Sequence, residues 1–399
     1  MAALSPTSPL SPPRTHPRLH LPASTSPPSD TNPPTPKVWL VFGATGHIGR
    51  SLVKAALSHG DDVAAVGRTR ENTMAQMQGW HARCLGLLCD VRVRATVQAA
   101  LERCLQHFGR VDIIVNCTGY GVIGACEDQD ACDLRSQFET NFLGTLHILQ
   151  LSLPYFRAQS TDPARGPHAN AGRYLIFSST SGALGVPGLG PYCATKYAVE
   201  GLIESMLYEV DTFGIKATLV EPGHMRRDEP TGLDDKAADD HAAAPLYAGG
   251  HVRIRSYGHF LVKPPSAPYD TPTSPSGHTG RVLQWMADRQ PTSAVKSAEL
   301  VWQLGHCRFP PLRLLLGSFA IESIRDRLRG ITEEMEDWKH LHFPVAEGEG
   351  GRRGRGGGDE EGDVKMEGEG DEEEDGDGEQ GMEGVELEGG ADVKEEEEG

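Results

Sequence analysis

Seven short apolar runs recur along the chain and decide what it can become. They are VWLVFGA from Val38, DVAAVGR from Asp62, CLGLLCDV from Cys84, VDIIVNCTG from Val111, RYLIFSS from Arg173, KATLVEPG from Lys216 and LRLLLG from Leu312. Continuous apolarity over so few residues is the mark of a strand buried on both faces. Between most of the runs lie stretches with helical spacing, such as VQAALERCLQHFG and YAVEGLIESMLYEV. Strands that alternate with helices need crossover connections, and these build a parallel sheet with helices on both sides. The pattern predicts the α/β class: one doubly wound domain over residues 37–344, with a mostly parallel sheet of about seven strands.

The two ends fall outside that pattern. Residues 1–36 hold eleven prolines among serines and threonines and a single acid, Asp30, so they predict a disordered segment short of donors and apolar mass. Residues 345–399 are mostly Gly, Glu and Asp and predict a second disordered tail. That tail carries 23 of the 56 acidic residues and 5 of the 38 basic ones, so the formal charge of −18 resides in it. The remainder is balanced and has no basic stripe of the kind that nucleic acid requires. A solvated tail is the plain reading of the acidic run, and a basic partner for it is the alternative.

No apolar run approaches the ~20 residues that span a bilayer, and residues 1–36 lack the apolar stretch of a secretory signal. Arg14 and Arg18 in an acid-poor start hint at a transit peptide, but the prolines oppose the amphipathic helix such peptides form. The eight cysteines include no CxxC pair, and several sit inside apolar runs, which is the usage of reduced, buried thiols. The expected compartment is the cytoplasm. His224, His251 and His259 are scattered without metal-ligand spacing, and no zinc site is expected.

VFGATGHIGR follows the first strand and opens the first helix, with glycines at 43, 46 and 49. Glycine there permits a tight turn and lets backbone approach a pyrophosphate, whose charge then faces a helix N-terminus. The candidate contacts are Gly43, Thr45, Gly46, His47, Ile48 and Gly49. About 20 residues on, where such folds read the adenosine ribose, stand Gly67 and Arg68. An NAD site asks for a carboxylate at that strand end, whereas a guanidinium suits a 2′-phosphate by charge and fork geometry. Arg68 therefore favours NADP(H), the alternative being a solvated surface charge.

Tyr192 and Lys196 are four residues apart at the start of a helical stretch and share one face. A phenol ordinarily loses its proton near pH 10, and an ammonium one turn away is expected to lower that value. Ser179 closes the fifth strand at its carboxyl edge, where its hydroxyl can hold a substrate oxygen near the phenol. Cys193, beside the tyrosine, has no base partner at a suggestive spacing and reads as a packing residue.

Taken in order, the three glycines, NCTG at 116–119, Asn141 in NFLG, Ser179 in SSTSG, YCATK at 192–196 and EPG at 221–223 resemble the short-chain dehydrogenase/reductase family across roughly residues 38–223. YCATKYAVEGLIESMLYEV and PPLRLLLG look most like its branch akin to 17β-hydroxysteroid and retinol dehydrogenases. The resemblance implies that Ser179 bonds the carbonyl or alcohol oxygen, that Tyr192 passes the proton, and that Lys196 lowers the tyrosine pKa and holds the nicotinamide ribose. Asn141 would support a proton-relaying water. Asp90 and Val91 would flank the adenine, Asn116 and Gly119 would shape the cofactor floor, and Pro222 with Gly223 would border the nicotinamide. Two departures stand out: His47 where this branch has glycine, and Arg227 where many relatives carry a threonine.

The function expected is NADP(H)-dependent hydride transfer between nicotinamide and a secondary alcohol or ketone, with an apolar small molecule as substrate. A catalytically idle dinucleotide-binding module that senses redox state or binds protein is the alternative. The polar stretch 224–290, with aromatics at Tyr247, Tyr257, Phe260 and Tyr269, is expected to be a substrate lid, partial disorder being the other reading. Oligomeric state stays open, a homo-oligomer included.

Overall fold

The computed structural model of the chain describes residues 19–68, 77–161, 171–226, 255–257, 259–289 and 292–341. Seven strands form the main sheet: β1 (Val38–Phe42), β2 (Asp62–Gly67), β3 (Cys84–Leu88), β4 (Ile113–Asn116), β5 (Gly172–Phe177), β6 (Ile215–Pro222) and β7 (Arg313–Leu316). They lie in the order β7-β6-β5-β4-β1-β2-β3, and every pairing is parallel. All seven apolar runs thus became strands of one sheet.

Among the described residues eight helices accompany the sheet: α1 (His47–Ser58), α2 (Arg94–Phe108), α3 (Ala131–Phe138), α4 (Gly144–Ser160), α5 (Gly190–Val210), α6 (Pro275–Arg289), α7 (Ala294–His306) and α8 (Ser318–Trp338). The pleat of β1 shows how the layers are sorted. Val38, Leu40 and Phe42 pack with Val97 and Leu101 of α2, Ile148 of α4 and Ile203 of α5. Trp39 and Val41 point the other way, onto Leu52 and Val53 of α1 and Val301 of α7. A period of two in the strand therefore sends alternate residues to two separate cores. All five β1 residues are buried, as the centre of a doubly covered sheet requires.

The chain reverses direction across the sheet between β1 and β4, and a crevice opens there beyond the carboxyl ends of the strands. At the opposite edge a buried carboxylate ties sheet to helix. Asp61 accepts from the Lys37 amide at 2.8 Å and from Trp39 Nε1, Trp302 Nε1 and His306 Nε2, each at 2.9 Å.

Three further features bear on the expected segments. The N-terminal segment does not stay clear of the domain up to residue 36. Leu21 is buried in the core containing Trp39 and Trp302, its amide donates to Gln303 Oε1, and the amides of Arg308 and Phe309 donate to the carbonyls of Ser26 and Thr25. A single leucine with backbone pairing suffices to dock a proline-rich strip. The compact unit that contains the sheet extends to Lys339. Lastly, the stretch 224–290 has regular structure in its described part. Phe260–Val262 pairs in parallel with Gly121–Ile123 and antiparallel with Arg255–Tyr257, and α6 follows. Residues 227–254 lie outside the described residues, and with them Arg227, Tyr247 and His251.

Candidate active site

The site is assembled from strand ends. After β1 the backbone turns at Gly43, whose φ of 80° is in the left-handed region and where a Cβ would stand 2.9 Å from the Cys117 carbonyl carbon. Gly46 caps α1, and at Gly49 a Cβ would be driven into the Gly43 carbonyl oxygen. Gly67, at the end of β2, leaves room only for the Thr45 side chain, and Arg68 is exposed beside it. Glycine thus keeps a bare backbone surface facing a cavity of about 210 Å³ whose wall includes Gly43, Thr45, Gly67, Arg68, Asp90 and Val91. A backbone cradle at a helix start, with a cation at its far rim, fits the phosphates and adenosine end of a dinucleotide.

A second cavity of about 210 Å³ adjoins the first and shares Gly46, Cys117, Thr118 and Gly119 with it. His47, Ile48 and Gly49 line it on one side, and Pro222, Gly223 and His224 on the other. Ser179, Tyr192 and Lys196 all face it, so residues separated by up to seventeen positions meet on one wall. The far end is apolar, built from Val186, Leu189, Met225, Phe260, Val282 and Phe319.

Each of these side chains has a local reason for its place. Ser179 leaves β5 as the cap of a 3-10 turn (Thr180–Gly182), its hydroxyl accepting from the Ser181 amide at 3.2 Å. Next to it, Ser178 donates to Glu200 at 2.6 Å and pins the turn to α5. Glu200 is held in turn by Arg313 at 2.5 Å, which also pairs with Glu204 and Glu221. Glu221 is completely buried, and burial with two neighbouring carboxylates raises its pKa to about 7 despite Arg313.

Tyr192 and Lys196 stand one turn apart on α5. The Lys196 ammonium donates to the Phe177 carbonyl at 2.9 Å and lies 5.7 Å from the Tyr192 ring centre. Burial lowers its pKa to about 8, Glu200 and Cys117 acting in the other direction. The Tyr192 phenol is not lowered below its ordinary pKa in the protein alone. Burial raises the Tyr192 pKa, and a hydrogen bond with Ser179 opposes the rise. The phenol is therefore protonated at neutral pH and able to donate.

Asn116 and Asn141 do not line either cavity but stand behind the walls. Asn141 belongs to a π-helical turn (Glu139–Leu143) between α3 and α4; its Oδ1 accepts from the Tyr120 amide at 3.0 Å, and its Nδ2 donates to the Tyr120 carbonyl and Thr195 Oγ1, both at 2.9 Å. Asn116 donates to Thr145 at 2.9 Å and accepts from the amide and hydroxyl of Thr118, which shapes the loop that carries Gly119.

Sequence reasoning named His259 only among three scattered histidines and gave it no role in the site. It lies just before Phe260 on the strand that joins Gly121–Ile123, and its Nε2 is 3.4 Å from the Tyr192 hydroxyl. The imidazole is open to the cavity yet walled by protein, which with the nearby Lys196 holds it neutral, its pKa well below the usual value. The only available signal was its place directly before an apolar triplet. No group of three or more His, Cys, Asp or Glu able to hold a metal occurs among the described residues.

A model of the family described as short chain dehydrogenase matches residues 37–236. An oxidoreductase of Botryotinia fuckeliana is 28% identical over 311 residues, covering 78% of this chain and 99% of its own. An uncharacterised oxidoreductase of Schizosaccharomyces pombe is 29% identical over 308 residues, covering 77% of this chain and 91% of its own. Among solved structures, a short-chain dehydrogenase from Streptomyces avermitilis is similar with a TM-score of 0.63 and 27% identity, over 77% of this chain and 97% of that one.

Proposed function

The chain belongs to the short-chain dehydrogenase family, and on that premise we propose that it is an NADP(H)-dependent oxidoreductase that moves a hydride between nicotinamide and a secondary alcohol or ketone. The observation that carries this reading is the meeting of Ser179, Tyr192 and Lys196 on the wall of a cavity continuous with the glycine cradle. When bound, the dinucleotide would supply or accept the hydride. Gly43, Thr45, Gly46, His47, Ile48 and Gly49 would hold its phosphates, Asp90 and Val91 its adenine, and Pro222 with Gly223 its nicotinamide. Exposed Arg68, at the rim of the first cavity, supports the preference for a 2′-phosphate.

The chain's own part is to hold an oxygen and move a proton. The Ser179 hydroxyl would hold the substrate oxygen against the phenol, and in the reducing direction Tyr192 gives that oxygen its proton. Lys196, fixed by the Phe177 carbonyl, would hold the nicotinamide ribose. Asn141 would act from behind, keeping Tyr120 and Thr195 in place. The apolar far wall supports a bulky apolar carbonyl compound as substrate, in keeping with the 17β-hydroxysteroid and retinol dehydrogenase branch, and the described part of the 224–290 stretch would serve as its lid. All eight cysteines are free, which supports the cytoplasm as the compartment.

The test is oxidation of NADPH, followed by its absorbance, against a panel of apolar ketones and aldehydes. Turnover that vanishes in Tyr192→Phe is expected. Absence of turnover throughout, with the dinucleotide bound, would favour the idle module.

A further inference from the structure

The last helix is built to meet another helix. α8 runs for 21 residues, roughly 30 Å at 1.5 Å per residue, and Ala320 alone among them is buried. Its apolar residues are Ile321, Ile324, Leu328, Ile331, Met335 and Trp338, with Phe319 turned into the active-site cavity at its root. The six follow alternating intervals of three and four over nearly three heptads, the a and d positions of a coiled-coil seam. Ile321, Leu328, Met335 and Trp338 are 39%, 59%, 55% and 60% exposed, and Ile324 and Ile331 are half-buried. A seam that the chain leaves in water asks for a cover of the same period.

The charges say which cover. Most acid-base neighbours on α8 pair within the helix: Arg325 with Glu322, Arg329 with Asp326, and Lys339 just beyond it with Glu336. Arg327 and Glu334, which flank the seam at successive g positions, make no ion pair among the described residues. We infer that α8 is a homodimerisation helix, pairing with α8 of a second copy of this chain in an antiparallel coiled coil. In that register Ile321 faces Trp338, Ile324 faces Met335 and Leu328 faces Ile331 of the second copy, and the two-fold repeats each layer. Large and small residues alternate along the seam instead of stacking Trp338 on itself. The same register sets Arg327 beside Glu334 of the second copy, twice, which uses the two unpaired charges that flank the seam. A parallel pairing would bring Glu334 to Lys339, already engaged by Glu336, and leave Arg327 opposite Thr332.

The inference is independent of the proposed catalysis and is tested by sedimentation velocity on the full chain over about 1–100 µM, the range in which an interface of this modest size should associate. Wild type should dimerise with rising concentration. Leu328→Asp with Ile331→Asp should abolish that concentration-dependent rise, with an unchanged melting temperature because both positions reach solvent. Arg327→Glu alone should weaken association, and Arg327→Glu with Glu334→Arg should restore it. A wild type that does not self-associate, a dimer indifferent to the two aspartates, or a charge reversal that fails to rescue would each overturn the proposal.

Discussion

The Tyr192 hydroxyl lies 3.4 Å from Nε2 of His259, and the two rings, 6.0 Å apart, both line the second cavity. A neutral imidazole in that position offers the substrate a second hydrogen bond beside the reacting oxygen. His259→Ala should therefore lower kcat/KM by roughly 2- to 13-fold, the range of a neutral hydrogen bond of about 0.5–1.5 kcal/mol. His259→Gln, which keeps a polar tip, should recover part of it. Steady-state kinetics on any accepted ketone decides, and equal values for all three proteins would make His259 a bystander.

Loss of the Tyr192 phenol should cost more. Tyr192→Phe preserves the ring that packs edge-on to Phe260 at 5.0 Å, so fold and cofactor affinity should persist. Turnover should fall by at least ~10²-fold, the usual contribution of a positioned general acid. A rate near that of wild type would remove Tyr192 from the mechanism.

Lys196 gives a pH signature. Its pKa of about 8 in the protein alone means that it loses its charge as pH rises through that value. An anionic dinucleotide binds the ammonium form better, so affinity should weaken above about pH 8, and binding near there should take up a proton. Calorimetry in buffers of different ionisation enthalpy measures that uptake. Lys196→Met should abolish it.

What the sequence disclosed follows from how local each signal is. Val38–Phe42 reads as a central strand because five successive apolar residues need no partner to be recognised, and Tyr192 and Lys196 read as a pair because one helical turn fixes their relation. The glycine cradle is legible for the same reason. His259 is not, since it reaches Tyr192 only after Phe260–Val262 adds to Gly121–Ile123, a pairing between segments far apart in sequence. Helix α6 was hidden by its own composition, with Pro275, Gly277 and Gly280 in fifteen residues. The docking of Leu21 depends on a groove that exists only once α7 is packed.

Asp61 tests the opposite edge of the sheet. Its carboxylate serves four donors with 2% of the side chain exposed, and Asp61→Asn would break the charge-assisted bonds, for an expected loss of about 2–4 kcal/mol. Hydrogen bonds to His306 and other donors hold the Asp61 pKa below its ordinary value against the opposing effect of burial. That contribution is present above the unfolded carboxyl pKa and is lost as pH falls through the folded one. His306, lowered mainly by burial, adds in the same direction, because the unfolded chain takes up its proton first. The melting temperature should therefore begin to drop below about pH 6.5 and drop further below about pH 4. Asp61→Asn should flatten the lower part of that profile.

Cofactor choice rests on Arg68, and the structure constrains how it can be tested. A carboxylate placed at Gly67 would force a Cβ to within 2.6 Å of the Thr45 methyl group, so the acid belongs at position 68, which is exposed. A charge-assisted bond from a guanidinium to a 2′-phosphate contributes about 1.5–3 kcal/mol, or roughly 10- to 150-fold in affinity. Wild type should bind NADPH more tightly than NADH by a factor in that range. Arg68→Asp should invert the order, since the new carboxylate accepts the ribose hydroxyls and repels the phosphate. The Asp90 pKa is lowered chiefly by hydrogen bonds from Arg92 and least by the Arg68 guanidinium, and since Asp90 lines the same cavity the variant also sets two acids at one rim. Fluorescence titrations with both cofactors at fixed ionic strength give the comparison, and raising the salt should narrow the wild-type gap as the exposed charge is screened. Equal affinities in wild type, or an unchanged order in Arg68→Asp, would take Arg68 out of cofactor recognition.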